Sequence, residues 1–267
     1  MVELVPSFIL KADRAEKHLN DLRTAINDWA DTHPYEVSTT HYRKGDKHHL
    51  RFTTNPPIEV GLIATDFVHN LRSGLDHLMA ALVPSSQRDS VYFPIFFQGV
   101  WELPVPGENA QMTKDRGRWK SYTAKVRPEA VAIHKALQPA EEWLPKGRRH
   151  AFKMLNELAN VDKHQRLPVT FSALRDVRMR WIDSHGQTHR GAENFPESSI
   201  AKDGAELGIP PDAMQVKIAG SPLVAIEAGP GDIGADIRES FAEMLVAYRE
   251  RVVQPLAPYV HRGRHGL

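Results

Sequence analysis

Residues 55–84 read NPPIEVGLIATDFVHNLRSGLDHLMAALVP. Asn55 can cap a helix, Pro56 and Pro57 are tolerated in a first turn, and Pro84 stops it. The stretch therefore predicts a helix running to about Leu82 or Val83. At about 100° per residue, Ile63, Phe67, Val68, Leu71, Leu75, Leu78 and Leu82 form a broad apolar face. Asp66, His69, Asn70, Ser73, Asp76 and His77 gather on the opposite side. Arg72 lies at the border, spaced i,i+4 from Asp76 as a natural ion pair. Gly74 costs roughly 1 kcal/mol against alanine inside a helix, so its presence implies close approach of another backbone or of a ligand. Solvent faces favour Lys and Glu, whereas this face offers short directional groups suited to a hydrogen-bond network or a site.

A second polar helix is expected over about Arg148–His164, before Pro168. Phe152, Met154, Leu155, Leu158, Ala159 and Val161 cover one side, and Asn156, Asn160, Lys163 and His164 fall on another. Asp162 points towards the apolar side, which demands a buried partner such as Arg72 or Arg166. The two polar faces are expected to meet or approach each other.

Working outward, Phe8, Ala12, Ala15, Leu19, Leu22, Ile26 and Trp29 mark a long amphipathic helix with Ser7 as its N-cap. Tyr35–Arg43 and Lys47–Thr53 flank Lys44-Gly45-Asp46 as a β-hairpin. Residues 84–125 read as an irregular wrap, and Pro128 opens a short helix through Leu137. Val169–Leu174, Val177–Ile182, Met214–Ala219 and Leu223–Ala228 read as strands. Between them lies a polar, Gly-rich loop over 184–211, of a length usually associated with function. Ile237, Phe241, Met244, Leu245, Tyr248 and Val252 mark a last helix, ended by Pro255. These elements predict one α+β domain over 1–260: a mostly helical bundle with an N-terminal β-hairpin and a small antiparallel sheet in the C-terminal half. Residues 261–267 are expected to be a flexible basic tail.

The chain has 267 residues and a net charge of +1, so no overall basic field marks it as a nucleic-acid coating protein. The absence of cysteine excludes disulfides, thiolate nucleophiles, cysteine-type zinc sites and iron–sulfur clusters. No apolar run reaches the roughly 18–20 residues that span a bilayer, and Met1–Pro6 lacks a signal-peptide pattern. A cytoplasmic protein without a membrane partner is expected. Searches for a phosphate loop, a dinucleotide fingerprint and a nucleophile elbow come back empty.

His69–His77 and Asn160–His164 resemble the His-Asn-Leu-Arg-Ser-x-Leu-Asp-His and Asn-x-Asp-Lys-His segments of a bacterial family of uncharacterised proteins. Arg72, Ser73 and His77 are also similar to the motif of HEPN domains, helical bundles that include metal-independent ribonucleases. That resemblance implies His77 as general acid or base on a ribose 2′-hydroxyl and Arg72 as phosphate stabiliser. It further implies Asn70 and Ser73 as orienting groups, RNA as partner, a homodimer, and no cofactor or metal. Lys163 and His164 would add a phosphate contact and a second titrating group.

Two other readings stand beside it. In one, the same polar residues form a structural network in a non-enzymatic binding or assembly module. Its working surface then lies elsewhere, on the 184–211 loop or on the hairpin bearing His41, Arg43, Lys47, His48, His49 and Arg51. In the other, Asp66, His69, His77, Asp162 and His164 supply ligands for a metal-dependent hydrolase, although no His-x-x-x-His pair accompanies them.

Overall fold

The computed structural model describes residues 5–43, 45–88, 91–96, 99–102, 109–139, 150–162, 167, 169–191, 200–226 and 236–261. In chain order these form α1 (Ser7–Ala30), β1 (Tyr35–Thr40), β2 (Lys47–Phe52), α2 (Ile58–Leu82), α3 (Ala110–Thr123), α4 (Pro128–Ala136) and α5 (Ala151–Asp162). There follow β3 (Val169–Ile182), β4 (Thr188–Arg190), β5 (Ile200–Ala201), β6 (Gln215–Ile226) and α6 (Ile237–Val246). The fold is α+β, with an antiparallel hairpin near the N-terminus and a four-stranded antiparallel sheet in the C-terminal half. Contacts gather the chain into two compact units, one of residues 1–20, 63–166 and 240–267, the other of 21–62 and 167–239.

The first unit has a helical core. Phe67, Leu71, Leu75, Leu78 and Leu82 of α2 are buried, as are Phe8, Ala12, Ala15 and Leu19 of α1. Phe67 stacks on Phe241 with ring centroids 4.1 Å apart. Ser7 is already helical, and the first carbonyl to accept in α1 is that of Pro6, so Ser7 is not the N-cap. The irregular wrap expected over 84–125 contains α3, whose buried side chains are Arg116, Trp119 and Tyr122. An arginine within that stripe breaks the apolar pattern by which a helix is read from sequence.

The last helix does not end before Pro255. After α6 the chain runs through a π-helical stretch, Ala247–Val253, then a helical turn at Gln254–Leu256 and a 3₁₀ turn at Ala257–Tyr259. A π turn bonds i to i+5 and bulges the helix by one residue. His261 donates its backbone N–H to Ala81 O at 2.8 Å, and the rest of the expected tail lies outside the described residues.

In the second unit β3 is the central strand, flanked by β6 on one side and by β4 and β5 on the other. The four strands expected at 169–182 and 214–228 are two long ones. β3 continues through a register shift between Arg175 and Arg178, where Asp176 takes a left-handed φ of 54°. β6 continues through Gly220, where a Cβ would lie 2.6 Å from Leu174 Cγ, so only glycine fits. Phe171 packs between Phe52, stacked at 3.7 Å, and Trp29, edge-on at 5.1 Å. The expected 184–211 loop carries β4 and β5, and residues 192–199 of it lie outside the described residues.

Candidate functional site

The polar residues of α2 divide among separate partners. On one side Asp76 Oδ1 accepts the backbone N–H of Phe93 at 2.8 Å, while Arg72 Nη2 donates to the carbonyl of the same residue at 2.8 Å. The two side chains form the anticipated ion pair at 3.3 Å. Together they hold both polar groups of one residue's backbone, in a stretch with no regular structure of its own. Burial lowers the Arg72 pKa, and the Asp76 charge opposes that shift.

Elsewhere on the helix, Asn70 is buried and its amide donates back to Asp66 O at 2.8 Å. Asp66 and His69 are exposed, and Ser73 is half-buried. His77 is exposed and hydrogen bonded at 3.0 Å to Ser7 Oγ at the start of α1. Five residues apart on one helix, Arg72 and His77 point about 140° away from each other. Among the described residues they share no hydrogen-bond partner. The close approach anticipated at Gly74 is a side chain: Tyr248, from the π-helical stretch, lies against it and donates its hydroxyl to Phe8 O at 2.8 Å.

On α5, Asn156 is half-buried and Asn160 is exposed. Asp162 is the last residue of the helix, while its side chain, together with Lys163, His164 and Arg166, lies outside the described residues. Among the described residues, no hydrogen bond or ion pair joins the polar groups of α2 to Asn156 or Asn160.

Sequence reasoning missed a second set of polar residues that acts on the same segment as Arg72 and Asp76. His134 of α4 is fully buried, and its Nε2–H donates to Pro94 O at 3.0 Å. Gln138, one turn on, donates to Pro94 O and His134 O and accepts from Phe96 N–H at 2.7 Å. Arg116 of α3 donates to Val100 O and Glu102 O. Thus α2, α3 and α4 each send side chains to the backbone of residues 93–102, whose buried polar groups have no ladder to join. Burial lowers the His134 pKa to about 3, with the bond to Pro94 acting against it, so the ring is neutral at pH 7. It sits among Phe93 at 4.3 Å and Tyr122 at 4.4 Å. The i,i+4 pair His134/Gln138, on the same stripe of α4 as the buried Ala130, was the available signal.

The hairpin's charges are mostly matched. Lys47 pairs with Glu206 at 2.9 Å and His41 with Asp46 at 2.8 Å. His48 is buried, bonded to Thr39 Oγ1 at 3.0 Å, and burial lowers its pKa. Residues 204–207 add to the free edge of β2 through Leu50 N–H to Ala205 O and Leu207 N–H to His48 O, each 2.9 Å. Between them the hairpin turn and Pro211 enclose a cavity of about 520 Å³ that includes Tyr42, Arg43 and Ile209.

Comparison with protein-family models, with curated proteins and with solved structures finds no match. Among the described residues, no three His, Asp or Glu side chains are grouped so as to hold a metal ion. Among the same residues, no helix is long and apolar enough to cross a membrane.

Proposed function

We propose that this protein is a non-enzymatic binding module in which the polar residues of α2 maintain the fold. One observation carries the reading: Arg72 and Asp76 spend their hydrogen-bonding capacity on the carbonyl and the N–H of Phe93. A phosphate-stabilising arginine needs an open donor aimed at the ligand. Here Nη2 is engaged, and Nη1 is buried without a partner among the described residues. With His134, Gln138 and Arg116 acting on the same segment, the polar groups form one continuous support for residues 93–102.

The rival ribonuclease reading rests on the exposed His77 and needs RNA and a second copy of the chain. One experiment separates the two. Purified protein and its Arg72→Ala and His77→Ala variants are incubated with mixed RNAs in EDTA, and each is melted in parallel. The binding-module reading expects no difference in RNA integrity and a lower melting temperature for Arg72→Ala alone. Cleavage by the parent that both variants lose, with melting unchanged, would establish the ribonuclease instead.

A further inference from the structure

Arginines elsewhere in the described structure face carboxylates. Arg175 pairs with Glu239 at 2.6 Å, Arg238 with Asp236 at 2.5 Å, Arg249 with Asp13 and Glu16 at 2.9 Å each, and Arg118 with Asp115 at 2.9 Å. The outer half of the four-stranded sheet does the reverse. There Arg180 of β3 is directly opposite Arg190 of β4 on one side and Lys217 of β6 on the other. Directly paired residues share a sheet face, so these three cations stand in one row across three strands. Arg178, two residues before Arg180 and paired with Ala219, extends from the same face. All four are exposed. The remaining residues of that face are Ile182, Thr188, Gln215 and Ala219, with no carboxylate among them.

Like charges directly opposite one another destabilise a sheet. With a net charge of only +1, this local excess is a placement of charge and not a consequence of composition. Neighbouring strands are about 4.8 Å apart and alternate residues along a strand about 6.7 Å apart, so the four cations cover a patch close to 10 Å wide. One carboxylate could neutralise only one of them. A chain with a negative charge on every unit neutralises the whole row, and guanidinium groups match phosphate oxygens through paired N–H donors. The face offers no large exposed apolar side chain with which to enter a lipid surface.

We infer that Arg178, Arg180, Arg190 and Lys217 form a binding face for the phosphodiester backbone of a single-stranded nucleic acid. This rests on the binding-module reading and names its partner, through residues that the α2 network does not use. Phosphate contacts of this kind give affinity without sequence preference and make it steeply salt-dependent.

The test is a fluorescence anisotropy titration of the full chain with labelled 20-nucleotide oligo(U) RNA and oligo(dT) DNA, in parallel with sedimentation on vesicles containing phosphatidylserine. Four phosphate contacts predict a slope of log K against log salt of about −3. Arg180→Glu should weaken binding roughly tenfold at 0.1 M salt and make the slope shallower by about 1 to 2. Its melting temperature should hold or rise, because both cross-strand pairs become opposite in charge. Arg178→Gln with Arg190→Gln should weaken binding without creating a new pair, and decides the matter if Arg180→Glu does not fold. Binding of either oligonucleotide supports the proposal, and a preference between them identifies the source. Three results would overturn it: no binding to either oligonucleotide, binding that both variants retain, or variant-sensitive binding to vesicles alone. RNA cleavage in EDTA would overturn the non-enzymatic reading without touching this face.

Discussion

Tyr248 fills the space that a side chain at position 74 would need: a Cβ on Gly74 would sit 2.5 Å from the Tyr248 hydroxyl oxygen. That hydroxyl is itself committed to Phe8 O and buried, so it cannot swing aside. The glycine that costs α2 helical propensity is therefore the condition for docking the π-helical stretch.

Gly74→Ala should destabilise the protein by about 1–3 kcal/mol despite alanine's better propensity, since overpacking outweighs the roughly 1 kcal/mol gained. Tyr248→Phe removes the clashing oxygen, so the double variant should be more stable than the sum of the single losses implies. A urea-melt cycle of the four proteins measures that coupling. Additive losses would show that the two residues do not press on each other.

Arg72→Ala and Asp76→Ala should each cost about 2–3 kcal/mol, because either change leaves a partly buried charge and a Phe93 backbone group without its partner. The double variant should cost less than the sum. Single losses under about 0.5 kcal/mol in chemical denaturation would show that the Phe93 clamp contributes little.

His134 has its pKa lowered by burial from 6.5 to about 3. Below pH 6.5 the unfolded chain binds a proton that the folded chain refuses, so stability present above 6.5 is lost as pH falls towards 3. The slope from this residue is up to about 1.4 kcal/mol per pH unit. His134→Gln keeps a donor near Pro94 and should flatten the melting-temperature profile across that window. A profile as steep as the parent's would assign the acid sensitivity to other groups.

Gly45 holds the hairpin turn at a φ of +116°, with Pro211 Cβ only 2.4 Å from where its own Cβ would be. Gly45→Ala should lower stability by more than about 1 kcal/mol. It should also speed amide exchange at Leu50 and Leu207, which link β2 to residues 205–207. Unchanged exchange there would uncouple the turn from that edge.

The periodic elements were legible because their burial is simple. The stripes of α1 and α2 and the turn at 44–46 announce themselves through spacing alone. α3 did not, because Arg116 occupies a buried position that a sequence pattern assigns to an aliphatic residue. β3 and β6 were each divided at the bulge and at Gly220, features that interrupt alternation without ending pairing. On α2 the polar face and the Arg72–Asp76 pair could be read, but not their target. Phe93 is held through its backbone, and a backbone N–H or carbonyl carries no signature in residue type. Four cations spread over residues 178–217 became one row only through strand register, which no local window contains.

The π-helical stretch sets a rule for chain length. Each π turn carries one residue more than an α turn, and the surplus places Tyr248, Val252 and Leu256 in the core. Deleting one residue anywhere in 247–253 would let the helix relax to α and rotate everything beyond it by about 100°. Substitutions along this helix act one side chain at a time, whereas a single codon lost there would re-index the whole C-terminal end. The spacing between α6 and Pro255 is thus a counted quantity, and homologous chains should differ there in letters and not in number.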